Sequence, residues 1–261
     1  MIKIKEKKLT LKDRDIEILK YLYQMGFITS YQAFLRFWLK DKDISKYRKM
    51  LEKLAEKRLE IQKYKKYRSR TAYQRLQLLD RFKFVKRVRN PMENIEMYLL
   101  GDKGEAKILA LGYGAMRKRR RVSYINYEHD RRGGDIRIIG ERKGVIDEFI
   151  SERQLKYEIK DLILDGLFIS NTGKKIGIEI EMRLKKKYRN IAKFKKIDQW
   201  INDKRLNQVL YFCNTKHQIN TLVKYTTNKD VYFTTYNSFK CNWEDTKFVN
   251  LKHDLIKFED L

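Results

Sequence analysis

The chain has 261 residues, with 61 Lys or Arg against 34 Asp or Glu, a formal net charge of +27 and a pI near 9.9. An apolar content of 42% with 13% aromatics supports a buried core and excludes a wholly disordered polymer, and the excess of base calls for a polyanionic partner, nucleic acid before an acidic membrane. No apolar run approaches the roughly 18–20 residues of a membrane span, MIKIKEKKLT lacks the apolar core of a signal peptide, and Cys213 and Cys241 are too few for a disulfide framework or zinc knuckle. The expectation is a soluble, cytoplasmic protein with no membrane partner.

The charge is uneven. Residues 1–121 hold 34 basic and 14 acidic residues, net +20, and residues 122–261 hold 27 and 20, net +7. In the basic half a first helix is predicted from Thr10 as N-cap, with Asp13 three residues on and Ile16, Leu19 and Tyr23 on one face. Gly26 ends it, and Thr29 or Ser30 caps a second. A third begins near Ser45, with Ile44, Tyr47, Leu51 and Leu54 as its apolar face and Lys46, Lys49, Lys53 and Lys57 on its other faces. Two strand-like runs follow, AYQRLQLL (72–79) and IEMYLLG (95–101), with the turn Asn90-Pro91 between them. Three helices and a two-stranded wing form the winged helix-turn-helix plan for double-stranded DNA, with the third helix in the major groove and the wing on backbone phosphate. Lys46, Lys49, Lys53, Arg68 and Arg70 are the candidate DNA contacts, with Tyr64 and Tyr67 interleaved among the bases of the wing. Taken singly, a Lys-rich helix is also what a solvated face looks like.

The five basic residues Arg117 to Arg121 follow Gly112-Tyr113-Gly114 and mark a linker, giving a first domain over 1–121 and a second over 122–261. In the second, DEFISERQLKYEI (147–159) carries Glu152 on a predicted helix anchored by Phe149, Ile150 and Leu155. LILDGLFI and KKIGIEIEM read as strands joined at Asn171-Thr172-Gly173, an antiparallel hairpin in which Asp165 lies across from the Glu179 end. Strand alternation puts Glu179 and Glu181 on one face, about 6.6–6.8 Å apart at Cα. A helix over 186–203, a strand NQVLYFC, a helix TKHQINTLVKYT and a strand DVYFTTY complete the order α-β-β-α-β-α-β.

Three acids in an apolar hairpin suit a divalent metal. Mg²⁺ (or Mn²⁺) takes oxygen ligands, at about 2.1 Å for Mg²⁺, and usually keeps water and a phosphate oxygen beside one or two carboxylates. Asp165, Glu179 and Glu181 are the candidate metal ligands, with Glu152 beside them and Lys196 or Lys193 on the following helix to orient a water; Glu152, Asp165, Glu179, Glu181 and Lys196 form the candidate catalytic set. The plainer alternatives are that Glu-x-Glu is the solvent face of an edge strand and that the acids merely pair with Lys and Arg. His129, in YEHDRR, is more simply a cap or helix-surface residue than a site residue. His217 and His253 stand alone, and GYGAM lacks the Lys-Ser/Thr end of a phosphate loop.

The order Glu152, Asp165, Glu179-x-Glu181 and then a helix lysine resembles a PD-(D/E)xK nuclease core. It departs from that motif in having Glu181 where the strand lysine stands and no proline before Asp165. With LTLKDRDIEILKYL, GFIT, YLLGDKGEAKIL, SERQLK, LDGLF and EIEM, most of residues 9–236 is similar to the replication-relaxation family of plasmids and mobile elements. That resemblance implies a winged helix followed by a nuclease-like αβββαβ domain, of α+β and α/β class. It also implies a DNA-associated role in replication, relaxation or mobilisation, alone, as a homodimer or with other proteins of those processes. Two expectations follow: a metal-dependent DNA endonuclease, since all four carboxylates are present, or a non-catalytic DNA-binding accessory protein, since the strand lysine is displaced.

Overall fold

The structure, a computed structural model, describes residues 9–40, 70–90, 95–114, 116, 118–158 and 164–261. These divide into two compact units, one drawn from residues 1–39 and 63–123, the other from residues 40–62 and 124–261. The predicted third helix, with Lys46, Lys49, Lys53 and Lys57, lies outside the described residues, as do Tyr64, Tyr67 and Arg68.

In the first unit, helix α1 (Asp13–Met25) starts after Lys12, not Thr10: the Asp15 carboxylate accepts the Lys12 N–H at 2.7 Å and closes the first turn. The same buried carboxylate pairs with Arg75. Ile18, Leu19, Leu22 and Tyr23 face the core, and Gly26 ends the helix at φ 89°. Strand β1 (Ile28–Thr29) leads into α2 (Ser30–Phe37), whose cap is the Thr29 hydroxyl accepting the Gln32 N–H at 3.1 Å. The run AYQRLQLL is not a strand; it lies inside helix α3 (Arg70–Arg81). Its Leu-Gln-Leu alternation is misleading, because the buried residues are Ala72, Leu76 and Leu79, spaced four and three apart, and the run contains only good helix formers and one Tyr. Arg70 therefore opens a helix and is not part of the wing.

The hairpin is instead made by β2 (Val85–Asn90) and β3 (Ile95–Leu100), paired from Val85↔Leu100 to Asn90↔Ile95. Strand β1 adds to the other edge of β3, giving the antiparallel order β1-β3-β2. Helix α4 (Asp102–Ala110) packs tightly on the hairpin base: a Cβ on Gly104 would stand 2.1 Å from the Phe84 carbonyl oxygen, so only glycine fits there. The stretch after α4 returns to this unit. The Tyr23 hydroxyl meets the Gly114 carbonyl and accepts the Met116 N–H at 2.7 Å, and Lys118 pairs with Asp102 and, at 2.8 Å, with Glu105.

The second unit is a seven-stranded mixed sheet with helices on both faces. It opens with α5 (Tyr127–Arg142), which the sequence hides behind Gly133-Gly134 and its many charges. Those glycines and Arg132, Asp135 and Arg137 are buried. A Cβ on Gly140 would meet the Ile146 side chain at 2.1 Å, so the helix lies hard against the sheet. DEFISERQLKYEI is half strand: β4 (Ile146–Ser151) precedes α6 (Glu152–Glu158), because Ile146, Phe149 and Ser151 are buried among exposed or half-buried neighbours and the Ser151 hydroxyl caps the Gln154 N–H. Then come β5 (Gly166–Ser170), β6 (Lys175–Glu181), α7 (Lys187–Asn202), β7 (Gln208–Cys213), α8 (Lys216–Leu222), β8 (Val231–Thr235), α9 (Tyr236–Cys241), β9 (Lys247–Val249) and β10 (Leu255–Lys257). From α6 to β8 this is the predicted order α-β-β-α-β-α-β.

The sheet runs β10-β9-β8-β7-β6-β5-β4. Strands β4, β5 and β6 form an antiparallel meander, and β6, β7 and β8 are parallel, joined by the crossover helices α7 and α8. On one face Phe194 of α7 stacks on Tyr211, which stacks on Phe233, at centroid distances of 5.1 and 5.2 Å. On the other, Phe212, Phe239 and Phe258 meet edge to face at 4.9 Å. The alternation of β7 decides which ring goes to which face.

Candidate functional site

The site lies where the antiparallel hairpin meets the parallel strands. All of β6 from Ile176 to Glu181 is buried, with Glu179 1% and Glu181 4% exposed, so this strand has no solvent face. Asp165 sits one residue before β5, yet its backbone continues the ladder: its N–H donates to the Ile178 carbonyl at 3.0 Å and its carbonyl accepts the Glu152 N–H at 3.2 Å. Its side chain turns across the hairpin, and Oδ2 accepts the Ile180 N–H at 2.7 Å. That bond fixes the carboxylate between its neighbours on β6, Glu179 and Glu181.

Two cations meet this group. Lys193, two turns into α7, donates Nζ to Glu179 Oε2. It is placed there because Phe194, the next residue, is clamped in the ring stack with Tyr211, the direct register partner of Glu179. From the first turn of α5, His129 brings Nε2 to 3.1 Å from Asp165 Oδ2, while its Nδ1 is 3.3 Å from Asp130 Oδ1. Helix α5 is itself anchored by a polar network. Arg131 bonds Glu128 at 2.7 Å and Asp135 at 2.8 Å, the Tyr236 hydroxyl donates to Asp135, and Arg132 reaches from Glu128 to Asn214 at the end of β7.

The electrostatics follow from burial. Burial opposes the His129 cation, but its bonds to Asp130 and Asp165 outweigh it and raise His129 to about 10. Burial likewise opposes the Asp165 anion, which His129, Lys193 and the Ile180 N–H hold down at about 2. Glu179 goes the other way: burial, then the Asp165 charge, push it well above the ordinary carboxylate range, against the pull of Lys193. Glu181 is raised by burial as well, with Lys185 3.9 Å away on its exposed side. Lys193 stays charged, since the three acids more than offset its burial. The pocket thus holds more carboxylate than it neutralises. Glu179 Oε1 and the Tyr211 hydroxyl are both buried without a hydrogen-bond partner among the described residues.

That orphaned oxygen is the test of fit for a metal. Both bonds made by Asp165 fall on Oδ2, and both Asp165 and Glu179 offer only oxygen, the donor that Mg²⁺ and Mn²⁺ prefer. Beside them, His129, Asp130 and Glu152 have ligand atoms all within 4.8 Å of one another, a mixed set that suits Mn²⁺ better than Mg²⁺ and that requires His129 to give up the proton Asp130 and Asp165 hold on it. The residues present fit a divalent cation.

Of the residues predicted from sequence, the fold brings Asp165, Glu179 and Glu181 together. Glu152 opens α6 next to them; its side chain is tied to Lys156, and it belongs to the His129 group. Lys196 lies three residues beyond Lys193 on α7, and Lys193 is the lysine that bonds Glu179. Sequence reasoning missed Asp130 and Tyr211 and undervalued His129, because α5 was not recognised; the signal available was the acid-His-acid run Glu128-His129-Asp130.

The raised His129 gives a pH prediction. A group held above its ordinary 6.5 contributes stability that is complete below pH 6.5 and is lost as pH rises towards 10. The thermal midpoint of wild type should therefore fall across that window relative to His129→Gln, and parallel profiles for the two would remove the His129–Asp165 interaction from this account.

No protein-family model matches this chain, and no curated protein matches it. A crystal structure of protein VC1899 from Vibrio cholerae is similar over 89% of this chain, with 12% identity and a TM-score of 0.31; the chain spans 55% of that protein. At that level the similarity carries no argument.

Proposed function

We propose that this chain is a DNA-binding protein whose second unit is a metal-dependent phosphodiesterase centre of PD-(D/E)xK type, acting as a DNA endonuclease. The observation that carries the reading is the pair of half-buried Asp165 and buried Glu179, set across one hairpin with Lys193 against it and an acceptor oxygen left without a donor among the described residues. Supporting it is the order α5-β4-α6-β5-β6-α7-β7, which has the αβββαβ pattern with the short α6 inserted after β4, with acids on β6 and at the head of β5 and the lysine supplied from α7 in place of the strand position held by Glu181. Asp165 and Glu179 would hold Mg²⁺ or Mn²⁺, with Glu181 or the His129 group alongside. A metal bound there would lower the pKa of a water and stabilise charge on the scissile phosphate. The chain's own part is to fix the carboxylates by the Ile180 N–H, to keep Lys193 charged beside them and to exclude water beneath them with Tyr211 and Phe194.

For the first unit, the reading is a winged helix. It rests on the order α1-β1-α2, α3, β2-β3, on the sheet order β1-β3-β2 and on the net +20 of residues 1–121. A role in replication, relaxation or mobilisation of plasmids and mobile elements rests on the resemblance of the short motifs alone. Among the described residues no helix is long and apolar enough to cross a membrane.

A second reading has its own observation. His129 and Lys193 already oppose the acids without any metal, and Glu181 occupies the strand-lysine position, as in a domain that has kept its fold for binding alone. Incubation of the full chain with supercoiled and linear DNA in Mg²⁺ or Mn²⁺, against EDTA, separates the two. Metal-dependent nicking lost in Glu179→Gln supports the enzyme; DNA retention without nicking at any metal concentration leaves the accessory protein.

A further inference from the structure

Directly after Glu181 the chain runs Arg183-Leu184-Lys185-Lys186-Lys187-Tyr188-Arg189, and all seven residues are exposed. These seven hold five of the cations of residues 122–261 and none of the acids. Since that half is net +7, everything else in it sums to only +2. Its excess positive charge is therefore concentrated in one segment, beside the carboxylates.

The segment's backbone is fixed while its side chains are exposed. The Met182 carbonyl accepts from Asn214 Nδ2 at 2.7 Å and Gln218 Nε2 at 3.4 Å, and the Lys185 carbonyl accepts from the buried Asn190 Nδ2 at 3.1 Å. The Lys186 carbonyl takes the N–H groups of Arg189 and Asn190 as α7 begins. Among the described residues Arg183, Lys186 and Lys187 have no acidic partner, and Lys185 is 3.9 Å from Glu181. Tyr188 is 61% exposed, with one ring face backed by the Arg189 guanidinium at 5.9 Å.

Cations spaced along a rigid segment suit successive phosphates, and an exposed aromatic ring backed by arginine suits a base that has lost its pairing partner. We infer that Arg183–Arg189 is a contact surface for single-stranded DNA, with the lysines on the backbone and Tyr188 stacked on an unpaired base, leading the strand to the carboxylate centre. This rests on the proposed nuclease reading and narrows its substrate to DNA that is unpaired at the site.

The test is binding by the full chain in EDTA, so that no cleavage is needed, read by anisotropy of a labelled oligothymidine and of a duplex of equal length. Tyr188→Ala should weaken oligothymidine binding by roughly 5- to 100-fold, the range of a lost base stack, leave duplex binding unchanged, and be rescued by Tyr188→Phe. Lys186→Ala with Lys187→Ala should lower the salt dependence for oligothymidine by about 1.4 in log–log slope, two phosphates' worth. Equal loss for both DNAs, or none for either, overturns the inference, with an unchanged thermal midpoint showing that the variants fold. Because these readouts need no metal, their failure leaves the metal-dependent nicking test of the nuclease reading intact, and the reverse also holds.

Discussion

Mn²⁺ or Mg²⁺ added to the full chain should raise its thermal midpoint, and Glu179→Gln or Asp165→Asn should remove that rise. The physical reason is the surplus of buried carboxylate. Burial and the neighbouring Asp165 push Glu179 upward, and its Oε1 has no donor among the described residues, so a divalent cation offers the folded state a ligand that the unfolded chain lacks. At a metal concentration one hundredfold above the dissociation constant the stabilisation is about 2.7 kcal/mol, or a shift on the order of 5–10 °C for a unit of this size. Without metal, Glu179→Gln should cost less than Lys193→Met, because it removes repulsion against Asp165 and leaves Lys193 with Asp165 beside it. Metal titrations followed by thermal unfolding decide the matter. If wild type gains nothing, or if both variants gain as much as wild type, the carboxylates are not metal ligands.

Lys193→Met is the second large effect. It leaves Glu179 buried opposite Asp165 with its hydrogen-bonded cation gone, and breaking such a pair from one side typically costs about 3–5 kcal/mol. The loss should be greatest at pH 8. Glu179 is already raised, and without Lys193 it is raised further, so the penalty is present above its folded pKa and diminishes as the carboxyl takes up a proton at lower pH. Urea unfolding at pH 8 and pH 5 should show the difference shrinking. The double variant Glu179→Gln, Lys193→Met should be more stable than Lys193→Met alone, since the charge left unpaired is gone. A Lys193→Met protein within about 1 kcal/mol of wild type at both pH values would mean that the pair carries no such charge.

The hairpin around Asp165 and Glu179 was legible because both of its signals are local: strict alternation in KKIGIEIEM and a Gly-containing turn. The lysine was legible only as a helix position. Whether Lys193 or Lys196 reaches the acids depends on the rotation of α7, which is set by Phe194 entering the stack with Tyr211, a tertiary contact with no trace in local sequence. Helix α5 was invisible for a different reason. Its buried residues mix Gly133, Gly134, Asp135, Arg132 and Arg137 with Ile136, Ile138 and Ile139, so hydrophobic periodicity is blurred along the buried stretch. AYQRLQLL failed through period: eight residues that alternate by eye carry their buried positions at helical spacing, and their composition, rich in Leu, Gln and Arg, argues for helix over strand.

The polar anchor of α5 bears on the order in which the site assembles. Asp165 and the Ile180 amide are 15 residues apart, and Glu179 and Lys193 are 14, so this half of the cluster closes through short loops. Arg132 and Asn214, which hold α5 against the end of β7, are 82 residues apart. Closing the longer loop costs about 1.5 kcal/mol more in chain entropy, and it also requires β7 to be in place beside β6. The two acids of the hairpin should therefore come together first, with Lys193 following once Tyr211 of β7 is in place and His129 arriving with α5. Read backwards, the α5 side should be among the first to open, uncovering Asp165 while the hairpin stays folded.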